Sequence, residues 1–169
     1  MGVLTSFYQV PPSILSRIKR RPELIDHLYY PEHQEVGGIE PSDVGLPDDW
    51  EPRRHGFDKQ WDDLLEVYLQ IGNRRLEKLC ESAPTSIKGA EQYIRYWSLT
   101  KVKKLADKLE ELSPERFLEK CQRAPSLKSY SGSPISEEQL SWLSEDHKSF
   151  STFVRQVADA GELLMARSS

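Results

Sequence analysis

The chain has 169 residues, a length that suits one domain able to bury a core without disulfide staples. Charged residues make up 30% and apolar residues 37%, and the net charge of -4 offers no broad positive field for nucleic acid. No apolar run reaches bilayer-spanning length, so no membrane segment is expected, and two cysteines do not make a disulfide framework.

The first residues lack a basic stretch followed by an apolar one, so no signal peptide is expected and the cytoplasm is the expected compartment. Gly2 and Ser6 have the spacing of a myristoylation start, but residues 2 to 10 are rich in β-branched and aromatic side chains and read as a strand ended by Pro11-Pro12. Ser13 is placed to cap a short helix with Ile14, Leu15 and Ile18 on its inner face. The neighbouring Arg17, Lys19, Arg20 and Arg21 read as a solvated helix end. Pro22 opens a second helix through Leu24, Ile25 and Leu28.

Residues 31 to 57 break the pattern with four prolines, four glycines and the acids Glu32, Glu35, Glu40, Asp43, Asp48, Asp49 and Glu51. A loop this long in a compact domain is functional or disordered more often than it is a plain connection. Its apolar Ile39, Val44, Leu46 and Trp50 predict that it packs across the domain.

A helix follows over residues 58 to 71, where Trp61, Leu64, Leu65, Tyr68 and Ile71 form one apolar stripe. Asp58 reads as its cap, and Asp62 and Asp63 lie near its dipole-positive end. Gly72-Asn73 breaks it, a further helical stretch spans Leu76 to Cys80, and residues 89 to 98 read as a second strand. Ser98 then caps a helix carrying Val102, Leu105, Ala106, Leu109 and Leu112, and Ser113-Pro114 starts a short one carrying Phe117, Leu118 and Cys121. Residues 124 to 135 read as a flexible Ser- and Pro-rich loop. Ser136-Glu137-Glu138-Gln139 is a capping box, opening a long core helix with Leu140, Leu143, His147, Phe150, Val154, Val157 and Gly161 on its seam. Residues 162 to 166 read as a third strand.

No phosphate-cradling glycine loop, nucleophile elbow or spaced set of metal ligands is present in the sequence, so neither cofactor nor metal is expected. His55 reads as exposed, and Cys80 and Cys121 as small buried hydrophobes. The acids, together with Tyr29, Tyr30, Trp50, Tyr93, Tyr96 and Trp97, suggest a protein interface rather than a catalytic centre. The candidate binding residues are Asp48, Asp49, Trp50 and Lys59, for a protein partner of basic character that the chain would neutralise. The alternative is a small-molecule enzyme using Asp58, Lys59 or His147, with His147 otherwise a satisfied core histidine. The seam of the last helix leaves both a monomer and a homodimer open.

The start at Met1-Gly2, the helix Asp58-Lys59-Gln60-Trp61-Asp62-Asp63-Leu64, the segment from Tyr96 to Val102 followed by Ser113-Pro114-Glu115, and the closing helix and strand together resemble the YfbM-like family of bacterial proteins with a domain of unknown function. The resemblance implies a compact α+β fold; the elements themselves predict one α+β domain over residues 1 to 169, mostly helical, with a small antiparallel sheet from the N-terminal, central and C-terminal strands. The resemblance supplies no activity, cofactor or catalytic residue. Leu65 stands where the family often has a histidine, and the acidic loop departs from the family pattern.

Overall fold

The computed structural model describes residues 4–29, 39–57, 60–90 and 94–168. Five strands form one antiparallel sheet: β1 (Thr5–Val10), β2 (Arg54–Phe57), β3 (Thr85–Ser86), β4 (Ile94–Trp97) and β5 (Leu163–Ser168), in the order β2-β1-β5-β4-β3. The helices are α1 (Pro12–Arg20), α2 (Leu24–Tyr29), α3 (Trp61–Gln70), α4 (Arg74–Glu81), α5 (Leu99–Glu111), α6 (Pro114–Arg123) and α7 (Glu137–Asp159). The expected α+β class, mostly helical with a small antiparallel sheet, is what the chain adopts.

The first and last strands pair along their whole length, with Thr5 opposite Ser168, Phe7 opposite Ala166 and Val10 opposite Leu163. Alternate side chains of a strand point to opposite faces. Phe7, Trp97, Leu164 and Ala166 accordingly enter one core with α3 to α7. Tyr8, Val10, Ile94, Leu163 and Met165 enter a second core, covered by Ile14 and Ile18 of α1, Leu24 and Leu28 of α2, and Val44. The central strands are therefore buried on both faces, most fully at Phe7 and Tyr8 and from Leu163 to Ala166.

The larger core is organised on an aromatic group. The Phe7 ring lies 4.8 Å from Trp61 and 4.7 Å from Phe150, and Trp61 lies 4.9 Å from Phe57 and 5.2 Å from Phe150. These tilted and edge-on pairings are the geometries that ring quadrupoles favour. The expected core residues Trp61, Leu64, Leu105, Leu109, Leu143, Phe150 and Val154 are all buried here. Trp97 adds a polar tie, its indole N–H donating to the Leu79 carbonyl at 2.7 Å.

Helix boundaries follow local chemistry. The Ser113 hydroxyl accepts from Arg116 N, and Ser136 and Gln139 form the reciprocal capping box. Gly161, expected on the seam of the last helix, instead ends it: its φ is +65° and Glu162 N bonds back to the Val157 carbonyl, a left-handed helix stop. The seam itself is used inside the domain, since Leu143, His147, Phe150, Val154 and Val157 are buried.

Several sequence expectations need correction. The first helix begins at Pro12 with Pro11 in the cap position, and the Ser13 side chain is not the cap; a proline at the first helical position has no N–H to satisfy. The stretch 31 to 57 is not all loop, because β2 lies within it. Its short Arg-His-Gly-Phe run lacks a clear period of two, and it is a strand because the outer edge of β1 needs hydrogen-bond partners. A 3-10 turn at Pro41–Val44 also lies there, and Val44, Leu46, Ile39 and Trp50 do pack across the second core as expected. The two-residue β3 has no counterpart in the sequence expectation, and of the strand expected over residues 89 to 98 the described residues hold Ile94–Trp97, with Gly89 in a turn before it and residues 91–93 outside the description. Among the described residues, no helix is long and apolar enough to cross a membrane.

Trp61 is 3% exposed and touches three other rings, so Trp61→Ala should destabilise the fold by about 3–5 kcal/mol, as truncation of a large buried aromatic does. Urea unfolding followed by fluorescence of the remaining tryptophans measures it; an unchanged midpoint would remove Trp61 from the core.

Candidate functional site

The residues expected to carry function separate into an exposed acidic turn and a sealed histidine. Asp48 and Asp49 occupy a turn after the 3-10 segment and are exposed. Trp50 N closes that turn on the Pro47 carbonyl at 3.0 Å. The half-buried Trp50 ring stands edge-on to Tyr29 at 5.7 Å and rests on the second core, so the turn is fixed from below. No ion pair of Asp48 or Asp49 is formed among the described residues. Asp58 and Lys59, and with them Tyr30 and Tyr93, lie outside the described residues, so the juxtaposition of Asp58 and Lys59 with His147 has no structural reading.

His147 is fully buried and both ring nitrogens are engaged. Its Nε2 lies 2.5 Å from the Leu112 carbonyl, which can only accept, so Nε2 carries the proton. Nδ1 is then the acceptor for the Tyr68 hydroxyl at 2.8 Å. The imidazole also stacks on Phe117 at 4.9 Å and 11°. Leu112 caps α5, where helix geometry leaves carbonyls without intrahelical donors. His147 thus joins α7 to the α5–α6 corner and, through Tyr68, to α3. Burial pushes its pKa below the ordinary value of 6.5, against the opposing pull of the Leu112 hydrogen bond. A neutral, fully bonded ring closed to solvent fits the satisfied core histidine; it presents no base to a substrate.

His55 departs from the sequence expectation. It is half-buried, stacked on Phe153 at 5.7 Å and edge-on to Phe57 at 4.8 Å, because β2 carries it against the C-terminal half of α7. Burial lowers its pKa, and its buried Nε2 has no hydrogen-bond partner among the described residues. Nothing in the Arg-Arg-His-Gly context signals this, since the neighbouring arginines are exposed. Cys80 and Cys121 are buried as expected; burial raises both thiols, Cys121 to about 11, so they stay protonated and unreactive at neutral pH. Burial likewise raises Asp62 and Asp146, and the Asp63 charge adds to the shift of Asp62. Among the described residues, no group of three His, Cys, Asp or Glu side chains is arranged to hold a metal ion.

The Ser-rich segment expected to be a flexible loop is tethered. Gln70 Nε2 donates to the Lys128 carbonyl at 2.7 Å while Lys128 N donates to Gln70 Oε1 at 2.9 Å, and Tyr130 N donates to Asp63 at 2.8 Å. Ser129 N bonds the Ser133 carbonyl across a tight turn whose Gly132 has φ +85°. The tether comes from long-range side-chain bonds, which local composition does not reveal. A groove of 690 Å³ between α4 and α5 has Leu79 and Ala83 in its lining and both cations (Arg75, Lys78, Lys104, Lys108) and carboxylates (Asp107, Glu111) around it.

These features define an α+β protein with a two-faced antiparallel sheet, a sealed internal histidine and an exposed acidic turn. The chain belongs to the family described as domain of unknown function (DUF1877), whose model matches residues 1–166. Its structure is similar to that of YfbM from Escherichia coli, a protein of unknown function, with a TM-score of 0.59 over 98% of this chain and 99% of that chain. At 16% identity the likeness is one of fold. No curated protein matches the chain.

Both histidines have depressed pKa values, so the unfolded chain takes up protons below about pH 6.5 that the folded chain refuses. Their contribution to stability is present above that pH and is lost as the pH falls through the window beneath it. The raised carboxyls of Asp62 and Asp146 act in the opposite sense, nearer their ordinary value of 3.8. The melting temperature should fall between about pH 7 and pH 5. Tyr68→Phe, which strips Nδ1 of its donor, should cost a further 1–3 kcal/mol, roughly, at pH 7; a melt insensitive to both would remove the histidine bond as a structural tie.

Proposed function

We propose that the chain is a non-enzymatic protein-binding module whose acidic turn engages, and neutralises, a basic surface on a partner protein. The observation that supports this most is the construction of the turn. Asp48 and Asp49 stand exposed and without ion pairs among the described residues, on a backbone held down by Trp50 against Tyr29. Unpaired carboxylates are free to meet Lys or Arg, and the anchored ring limits the entropy lost when the turn is immobilised. Trp50 keeps part of its ring exposed, which adds an aromatic contact beside the charges. Glu51 and Glu40 extend the acidic character on either side of Asp48 and Asp49, and both are exposed. Of the residues of the enzymatic alternative, Asp58 and Lys59 lie outside the described ones, and His147 is closed to solvent and fully bonded.

An affinity capture with the full chain from native lysate should recover a partner of basic composition at low salt. Recovery should fall steeply with added salt and be lost with Asp48→Asn/Asp49→Asn, which keeps side-chain volume and should leave the melting temperature unchanged. Trp50→Ala should weaken capture as well. Equal recovery by wild type and the double variant would reject this turn as the interface.

A further inference from the structure

A second polar surface lies at the C-terminal end of α1. Arg17 and Arg20, three apart on the last turn of α1, and Arg21, the residue that caps it outside helical geometry, line a cleft of 340 Å³. Leu24 and Val44, both buried, complete its lining, and the 3-10 turn at Pro41–Val44 forms the opposite wall. A methyl group placed on Gly45 would sit 3.9 Å from Arg17 Nη2, so the guanidinium of this exposed residue reaches the end of that turn.

The cleft brings three guanidiniums against one carboxylate, Asp43, whose Oδ2 is already taken by the Glu40 N–H at 2.9 Å. Arg20 spends its Nε on the Ser16 carbonyl at 3.3 Å, and Arg21 its Nε on Glu23 at 3.0 Å. Neither bond uses the paired terminal nitrogens that form a fork for phosphate oxygens. The Arg17 side chain makes no hydrogen bond or ion pair among the described residues, though its carbonyl accepts from Arg21 N at 2.8 Å. Basic residues in a last helical turn are ordinary, because they complement the helix dipole. That accounts for their place along α1. It does not account for three arginines sharing a hollow with apolar lining, where Asp43 and the Glu23 bound to Arg21 leave one positive charge without a carboxylate.

We propose that this cleft binds a small phosphate-bearing anion, with its phosphate held by Arg17, Arg20 and Arg21 and any apolar portion against Leu24 and Val44. The volume lies at the small end of ligand sites, about 300–1,000 Å³, which fits a compact phosphate or phosphate ester rather than a dinucleotide. The site is separate from the acidic turn and stands or falls independently of it.

The test is calorimetric titration of inorganic pyrophosphate into the full chain at fixed ionic strength. Saturable one-site binding is expected, weakened about tenfold or more in Arg17→Ala/Arg20→Ala and unchanged in Arg75→Ala/Lys78→Ala, which discharges the α4–α5 groove instead. Arg17→Lys/Arg20→Lys keeps the charge and the fold but removes the forks, and should also weaken binding. Absence of saturable binding overturns the proposal. So does an equal loss in the groove variant, which would reduce the effect to general electrostatics, or an unchanged affinity in the lysine pair.

Discussion

Burial of the sheet on both faces is the constraint from which the rest of the structure follows. A strand with apolar side chains on both sides needs a packed layer above and below it. Phe7 faces one way and Tyr8 and Val10 the other; across the ladder, Ala166 and Leu164 oppose Met165 and Leu163. The first and last strands are partners, so neither face can close until the whole chain between them is in place. Five helices supply the larger core. The smaller face is covered by two short helices and by the irregular segment that reaches Trp50. That segment holds regular order only in pieces because its role is to cover, and the apolar residues spaced through it are what cover with.

Polar ties then fix how the helices meet. His147 is central among them, because one ring satisfies a carbonyl at the end of α5 and accepts from Tyr68 on α3. Such a group is retained at a cost: its neutral form is enforced by burial, and losing either partner would leave a buried polar atom unsatisfied. Arg155 performs a looser version at the surface, bonding Glu110 through two nitrogens and Asp107 through one, and so linking α7 to α5. An exposed network of this kind contributes less than the buried pair, since water and salt compete for it.

The acidic turn and the arginine cleft both belong to the layer over the smaller face. The acidic turn and the arginine cleft lie on opposite sides of the 3-10 turn in the chain, and Asp43 and Val44 of that turn line the cleft. A cover layer has few partners of its own to satisfy, so its outward side chains are free to differ from those that stability alone would select. In the larger layer several outward charges on α5, α6 and α7 are paired with one another.

The sequence by itself determined the helices of the second half, the core residues and the class of fold. These rest on local chemistry: a stripe of three and four spacing from Trp61 to Tyr68, a serine before a proline at Ser113-Pro114, and a capping box at Ser136. The acidic turn was legible for the same reason, since exposed acids beside a tryptophan are visible without coordinates. Only the tertiary structure decided the rest. β2 exists because β1 has an edge to fill, and β3 because β4 does. His147 is a tie rather than a base because Leu112, 35 residues away, and Tyr68, 79 residues away, turn their oxygens to it. His55 is half-buried because α7 passes beneath it, and the arginines of α1 meet a cleft because the segment after Ile39 folds back across them. Each of these depends on a contact between distant parts of the chain, and no window of local sequence contains both halves of such a contact.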